Sequence, residues 1–328
     1  MRHTGRVALL CALVACGSGG KSADDADGGG ARDGGTVDGT MQGSSDGSTD
    51  GPIGFGDGAG DDASACIVPD MLVVLDHTDS MSDEPNGAQP PNTAAGQKLT
   101  KWWLATDAVK AVVAPPLDTK VAYGLELFPL DPQTVDAGGT GTCKTLSQLL
   151  GGTASTNKSC QPAEILVPPA TSTGTTITGI LDPTTLRLCV STPIAVALGT
   201  AQTELVSIAK AGVAQYVLLV TDGAETCSGD VTAAAQKLAA GGVKTFVVGF
   251  GSADAGAAGV SVTTLNDAAC AGMTAIGFPG PCTQVDGGGG YVATKPGGPP
   301  VFYLAEDGAS LQAALQKITS TVCCGCAQ

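Results

Sequence analysis

The chain has 328 residues with 31 acidic and 16 basic side chains, giving a formal charge of −15 and a sequence pI near 4.3. A surface that acidic repels phosphate backbones and anionic lipid headgroups, which argues against nucleic-acid binding and electrostatic membrane docking.

At the start of the chain, Arg2 and Arg6 precede an apolar run from Val7 to Ala15. That run is far shorter than the roughly 20 residues a membrane-spanning helix needs, so residues 1–15 read as an export signal. The run closes on Leu13-Val14-Ala15-Cys16, which resembles the bacterial lipobox. The resemblance implies that Cys16 is acylated and becomes the first mature residue; an ordinary cleaved signal is the alternative. Losing Arg2 and Arg6 leaves 14 basic against 31 acidic residues, a formal charge of −17. The lipid is then the only expected membrane attachment, and the expected location is the cell envelope, on the outer membrane or the cell surface.

Residues 16–65 hold the acylated Cys16 and a tract of Gly, Asp, Ser, Thr and Ala with almost no large apolar side chain. Such a composition cannot bury enough surface to offset chain entropy, and a disordered spacer averaging about 40 Å end to end is expected. Its repeated Asp-Gly pairs lack EF-hand or toxin-repeat spacing, so calcium binding there is not favoured.

From Cys66 to residue 328, apolar runs alternate with helical patterns, the signature of one α/β domain. The expected architecture is a doubly wound, mostly parallel central sheet flanked by helices, rich in disulfides. Buried strands read as Met71–Leu75, Val121–Leu127, Tyr216–Val220, Thr245–Phe250 and Val301–Leu304. A helix from about Lys98 to Ala114 places Trp102, Ala105, Val109, Val112 and Val113 on one stripe, which makes the Trp102-Trp103 pair core packing before a carbohydrate platform. A second helix is expected from Ser191-Thr192-Pro193, and others at Val231–Ala240, Val262–Ala271 and Ala309–Thr321. Two stretches rich in Gly, Pro, Thr and Cys, about 129–188 and about 274–300, read as insertions that carry specificity.

Of the twelve cysteines, Cys11 leaves with the signal and Cys16 carries lipid. Cys66, Cys143, Cys160, Cys189, Cys227, Cys270, Cys282, Cys323, Cys324 and Cys326 remain, an even set that suits disulfides in an oxidising compartment. A zinc or iron–sulfur site built on Cys323, Cys324 and Cys326 is disfavoured, since His77 is the only mature histidine.

Chemistry concentrates at strand ends. Val73-Val74-Leu75 runs into Asp76, Thr78 and Ser80, a carboxylate and two hydroxyls at alternate positions, which suits Mg²⁺ or Mn²⁺ with Ca²⁺ as a further candidate. In open parallel sheets ligands bind outside the carboxyl ends of strands, so this loop, the turn at Thr192 and the loop at Thr221-Asp222-Gly223 should share one edge. This order of segments resembles a von Willebrand factor A domain with its metal-ion-dependent adhesion site, over most of residues 66 to 322. The resemblance implies that Thr78 and Ser80 touch the metal directly and that Thr192 does so when ligand binds. Asp76 and Asp222 would act largely through water, and a partner's carboxylate would complete the coordination. Thr78 stands where the family has Ser, and Asp79 stands where it often has Gly. Asp79 either coordinates or discourages an acidic ligand. Glu225 reads as a solvated loop carboxylate and His77 as a packing residue.

The same topology suggests disulfide partners: Cys189 and Cys227 together bracing the metal edge, and Cys66 with one of Cys323, Cys324 and Cys326. It also suggests Cys143 with Cys160 and Cys270 with Cys282, each closing an insertion, although spacing alone does not decide connectivity.

The expected function is a non-enzymatic, lipid-anchored adhesion or interaction module, monomeric, that binds a protein or other acidic partner through a divalent ion. A structural envelope module with an altered metal site is the alternative, and a hydrolase using Asp76 and Asp222 is the remote one. No nucleophile elbow, HExxH or P-loop supports catalysis.

Overall fold

The computed structural model describes residues 66–131, 142–156, 160–253, 259–285 and 290–324. The expected signal, Cys16, the spacer and Cys326 lie outside the described residues. In chain order the elements are β1 (Asp70–Asp76), α1 (Ala94–Gln97), α2 (Lys101–Val113), β2 (Ala122–Phe128), β3 (Lys144–Thr145), α3 (Leu146–Leu150), β4 (Glu164–Ala170), α4 (Gly174–Ile180) and β5 (Arg187–Leu188). They continue with α5 (Ile194–Ile208), β6 (Gln215–Thr221), α6 (Val231–Ala240), β7 (Val243–Phe250), α7 (Val262–Ala271), β8 (Cys282–Gln284), β9 (Tyr291–Ala293), β10 (Tyr303–Ala305) and α8 (Gly308–Val322).

The main sheet has the order β10-β7-β6-β1-β2-β4, parallel except for the antiparallel edge strand β4. The chain leaves β1 for β2 on one side and later returns to β6 on the other, so β1 is the switch point. Side chains alternate across β1 as a strand requires. Met71, Val73 and Leu75 pack with Trp102, Val109, Leu311 and Leu315 of α2 and α8. Leu72 and Val74 pack with Ala197, Leu198, Leu238 and Leu265 of α5, α6 and α7.

The helices start where capping chemistry puts them. Thr100 accepts from the Trp103 N–H to open α2, Asp230 from Ala233 to open α6, and Asp307 from Ser310 to open α8. α2 ends at Val113, ahead of Pro115-Pro116, and its expected apolar stripe is buried.

The first expected insertion needs correction, because residues 164–170 form β4, a full strand of the main sheet. Pro168 and Pro169 obscured it, since proline cannot donate to a ladder and survives only at a sheet edge. β4 is that edge. A Cβ at Gly124 of β2 would lie 2.8 Å from Pro169 Cδ and 2.8 Å from the Val167 carbonyl oxygen, so this position admits no side chain while β4 lies there. The rest of the stretch adds α3, α4 and a small ribbon pairing β3 with β5. The second insertion leaves α7 at the opposite sheet edge, where Gly272 O accepts from Thr245 N near the start of β7. Its β8–β9 hairpin is followed by a segment clamped by buried Asn266, which bonds the carbonyls of Pro296 and Pro299 and the N–H of Val301.

Cys66 pairs with Cys324, which closes the domain from before β1 to after α8, and Cys270 pairs with Cys282 within the second insertion. The expected Cys189–Cys227 and Cys143–Cys160 pairs are not formed. Cys143 pairs with Cys189 and Cys160 with Cys227, so the insertion is cross-linked to both loops it overhangs. The local reason is backbone pairing: Cys189 N donates to His77 O and its carbonyl accepts from Asp79 N, which commits Cys189 to the loop after β1.

Candidate metal centre

The loop after β1, the start of α5 and the loop after β6 meet at one edge of the sheet. Asp76 is the last residue of β1, and register sets Leu75 beside Val220, so Thr221 follows on the neighbouring strand. Asp76 Oδ1 accepts from the Thr78 N–H at 2.9 Å, and its Oδ2 accepts from Thr221 Oγ1 at 2.6 Å. Both contacts orient the carboxylate without involving another charge.

Thr78 and Ser80 follow at alternate positions as the chain enters a 3-10 turn over Asp79–Ser82. Their hydroxyl oxygens lie 2.9 Å apart, and Ser80 Oγ donates to Asp222 Oδ1 at 2.9 Å. Oxygens bound to Mg²⁺ at about 2.1 Å and at right angles to one another are about 3.0 Å apart. The Thr78–Ser80 and Ser80–Asp222 spacings are those of ordinary hydrogen bonds and are also compatible with adjacent corners of such an octahedron, and the donor set is the hard, oxygen-only kind such an ion takes. Among the described residues no group of three His, Cys, Asp or Glu side chains forms a metal cluster. The donors gathered here are instead mainly hydroxyls, with the carboxylates of Asp76 and Asp222.

Asp222 is 1% exposed, and its Oδ2 has no aligned hydrogen-bond donor. It meets the ammonium of Lys101, itself without exposure, at 2.5 Å as an ion pair. Thr192, 5% exposed, stands beside this loop: a Cβ at Gly223 would lie 4.0 Å from Thr192 Oγ1. Two backbone-directed bonds lock it there, Thr192 N to Thr226 Oγ1 and Thr226 N to Thr192 O. Asp76, Thr78, Ser80 and Asp222 are thus joined in one hydrogen-bonded chain with Thr192 adjacent.

Glu225 differs from the sequence expectation of a solvated carboxylate. It accepts from Ala195 N at 2.8 Å and from Cys227 N at 2.6 Å, capping the start of α5 and bracing the loop after β6. That helix begins at Ile194 after Pro193, a little later than its sequence start at Ser191. His77 is buried with its ring nitrogens on the carbonyls of Arg187 and Pro129, and burial pushes its pKa down. Asp79 turns toward the first insertion, where the Ser155 backbone bonds its carboxyl; burial nevertheless pushes its pKa up to about 6.

Burial, reinforced by the charge of Asp222, pushes the Asp76 pKa up to about 7, against the bonds from Thr221 and Thr78 that favour the carboxylate. A divalent ion at these oxygens would reverse that balance by favouring the ionised form. Sequence reasoning missed three residues here: Lys101, Thr221 and the capping role of Glu225.

The fold and the site together define an α/β domain carrying an oxygen-donor cluster at the switch point of a mostly parallel sheet. The family model of the von Willebrand factor type A domain matches residues 170–269. The matched stretch includes Thr192 and Asp222, while Asp76, Thr78 and Ser80 precede it. No curated protein matches the chain. Among solved structures it is similar to an aerotolerance-related membrane protein from Bacteroides fragilis, at 17% identity and a TM-score of 0.37, covering 57% of this chain and 69% of that one. It is also similar to proximal thread matrix protein 1 from the mussel byssus, whose structure has a zinc-occupied MIDAS motif, at 13% identity and a TM-score of 0.44, covering 78% and 46%. A third similarity is to the PilB minor pilin from Streptococcus sanguinis, at 11% identity and a TM-score of 0.46, covering 78% and 61%. The chain spans less than half the length of the mussel protein.

Proposed function

We propose that this protein is an envelope-anchored interaction module, not an enzyme, that holds a protein or other acidic partner through a divalent ion bound by Thr78, Ser80, Asp222, Asp76 and Thr192. The observation that carries this reading is the convergence of the Thr78 and Ser80 hydroxyls with the Asp222 and Asp76 carboxylates in one hydrogen-bonded chain at the carboxyl edge of the sheet. Hydroxyl donors leave net positive charge on the ion, so an anionic group from a partner gains more there than at an all-carboxylate site. The lipid on Cys16 supplies membrane attachment in this reading, with residues 17–65 as the spacer.

The test is binding of Asp- or Glu-containing peptides to the immobilised protein with Mg²⁺, with chelator, and in the Asp76→Ala variant. The reading expects retention only by the Mg²⁺-loaded parent; retention unaffected by chelator contradicts it. The Lys101–Asp222 ion pair favours a second reading, a structural module whose site already holds its own cation. That reading expects no peptide retention under any of the three conditions.

A further inference from the structure

Lysine is almost never fully buried unless paired, because its ammonium is costly to remove from water. Lys101 is buried completely, and Asp222, the carboxylate it meets at 2.5 Å, is one of the candidate metal-site residues. Its position is built in from several sides. The Thr100 cap sets the start of α2, Lys101 N donates to Asp83 O at 2.8 Å, and a Cβ at Gly251 beyond β7 would lie 3.7 Å from the Lys101 Cδ. The stem thus passes between the loop after β1 and the end of β7. Asp222 divides its oxygens accordingly, Oδ1 to Ser80 and Oδ2 to Lys101.

We propose that Lys101 is the resident counter-cation of this centre: it keeps Asp222 and the hydroxyl chain assembled without a divalent ion, and it lowers the affinity of the same oxygens for that ion. The proposal rests on the reading that these oxygens bind a divalent metal. Placed against Asp222, the ammonium offsets carboxylate charge at the site, so an arriving cation is attracted less than by the same oxygens without Lys101. Conversely, a loaded site beside Lys101 carries an extra positive charge, which offsets Asp79 and Asp83 in the attraction of an anionic partner. Lys101 acts through Asp222 and is a positioning residue.

The experiment compares the parent, Lys101→Met and Lys101→Arg by Mn²⁺ calorimetry and by melting in chelator. Lys101→Met should melt lower in chelator, bind Mn²⁺ roughly tenfold or more tightly, and gain a larger Mn²⁺-induced rise in Tm, while Lys101→Arg, which keeps the charge, should bind Mn²⁺ no more tightly than the parent. Equal or weaker Mn²⁺ binding by Lys101→Met than by the parent overturns the proposal and leaves the metal-site reading standing. Failure of the parent and Lys101→Met alike to bind Mn²⁺ overturns both. If Lys101→Met does not fold in chelator, the double variant Lys101→Met/Asp222→Asn decides: recovery of folding supports the ion pair as the cause, and continued failure to fold overturns it.

Discussion

Thr221 Oγ1 donates a 2.6 Å hydrogen bond to Asp76 Oδ2 in full burial, joining the last residue of β6 to the last residue of β1. Parallel pairing places the two strand ends side by side, and this bond turns that proximity into a fixed orientation for the carboxylate. The other oxygen is held by the Thr78 N–H, so strand register and loop geometry together aim Asp76.

The consequence for pH is direct. In the metal-free fold Asp76 keeps its proton to about 7 and Asp79 to about 6, and burial holds Glu126 well above the usual carboxylate range. In the unfolded chain these groups ionise near 4. The folded state binds more protons at these three carboxyls across this window, and they outnumber His77, whose depressed pKa has the opposite sign, so stability falls as pH rises from about 4 to about 7. Melting in chelator should show Tm dropping between these limits, and Mn²⁺ should reduce the drop by taking the place of the Asp76 proton. A Tm in chelator that rises with pH contradicts this.

Glu126 offers a separate test. It lies on β2 among the residues facing α5, without exposure, and neither carboxyl oxygen has a hydrogen-bond partner. Glu126→Leu should stabilise the protein by about 1–3 kcal/mol at neutral pH, since it removes a buried unsatisfied acid. The gain should shrink below about pH 4, where the unfolded chain is protonated too. Urea melts at the two pH values measure the difference.

The edge strand predicts a packing cost. Gly124→Ala would bring its methyl to 2.8 Å from Pro169 and Val167, and β4 must shift to admit it. A loss of about 1–3 kcal/mol is expected, as for overpacking elsewhere, read from denaturant unfolding. Pro169→Ala should restore part of that loss in the double variant.

The disulfides divide by their relation to the site. Replacing Cys143 and Cys189 with Ser should cost about 2–4 kcal/mol and weaken Mn²⁺ binding, because Cys189 pairs with the backbone of His77 and Asp79. Replacing Cys270 and Cys282 should leave Mn²⁺ affinity unchanged, since that bond lies between α7 and the second insertion. Calorimetric titration of the two double variants checks the contrast.

Much of this fold was readable because burial on both faces imposes continuous apolar runs. Met71–Leu75 and Tyr216–Val220 each lie within an observed strand one residue longer at either end, and α6 and α7 have the bounds their periodicity suggested. β4 was hidden because Pro168 and Pro169 argue against a strand everywhere except at an edge, and edge position is a property of the whole sheet. Of the site, strand ends announced Asp76 and Asp222, and hydroxyl spacing announced Thr78 and Ser80. Lys101 did not stand out, because a lysine opening a helix ordinarily faces water; only the assembled edge shows Asp222 beside it. Cysteine parity gave the number of candidates and not their partners, since connectivity follows from which loops overhang which.

The most direct measurement is a thermal melt of the protein with Mg²⁺ or Mn²⁺ titrated against chelator, alongside Asp76→Ala. A saturable rise in Tm in the parent that is lost in the variant is the result expected of a divalent site built on Asp76, Thr78, Ser80, Thr192 and Asp222. A parent Tm that does not respond to either ion contradicts it.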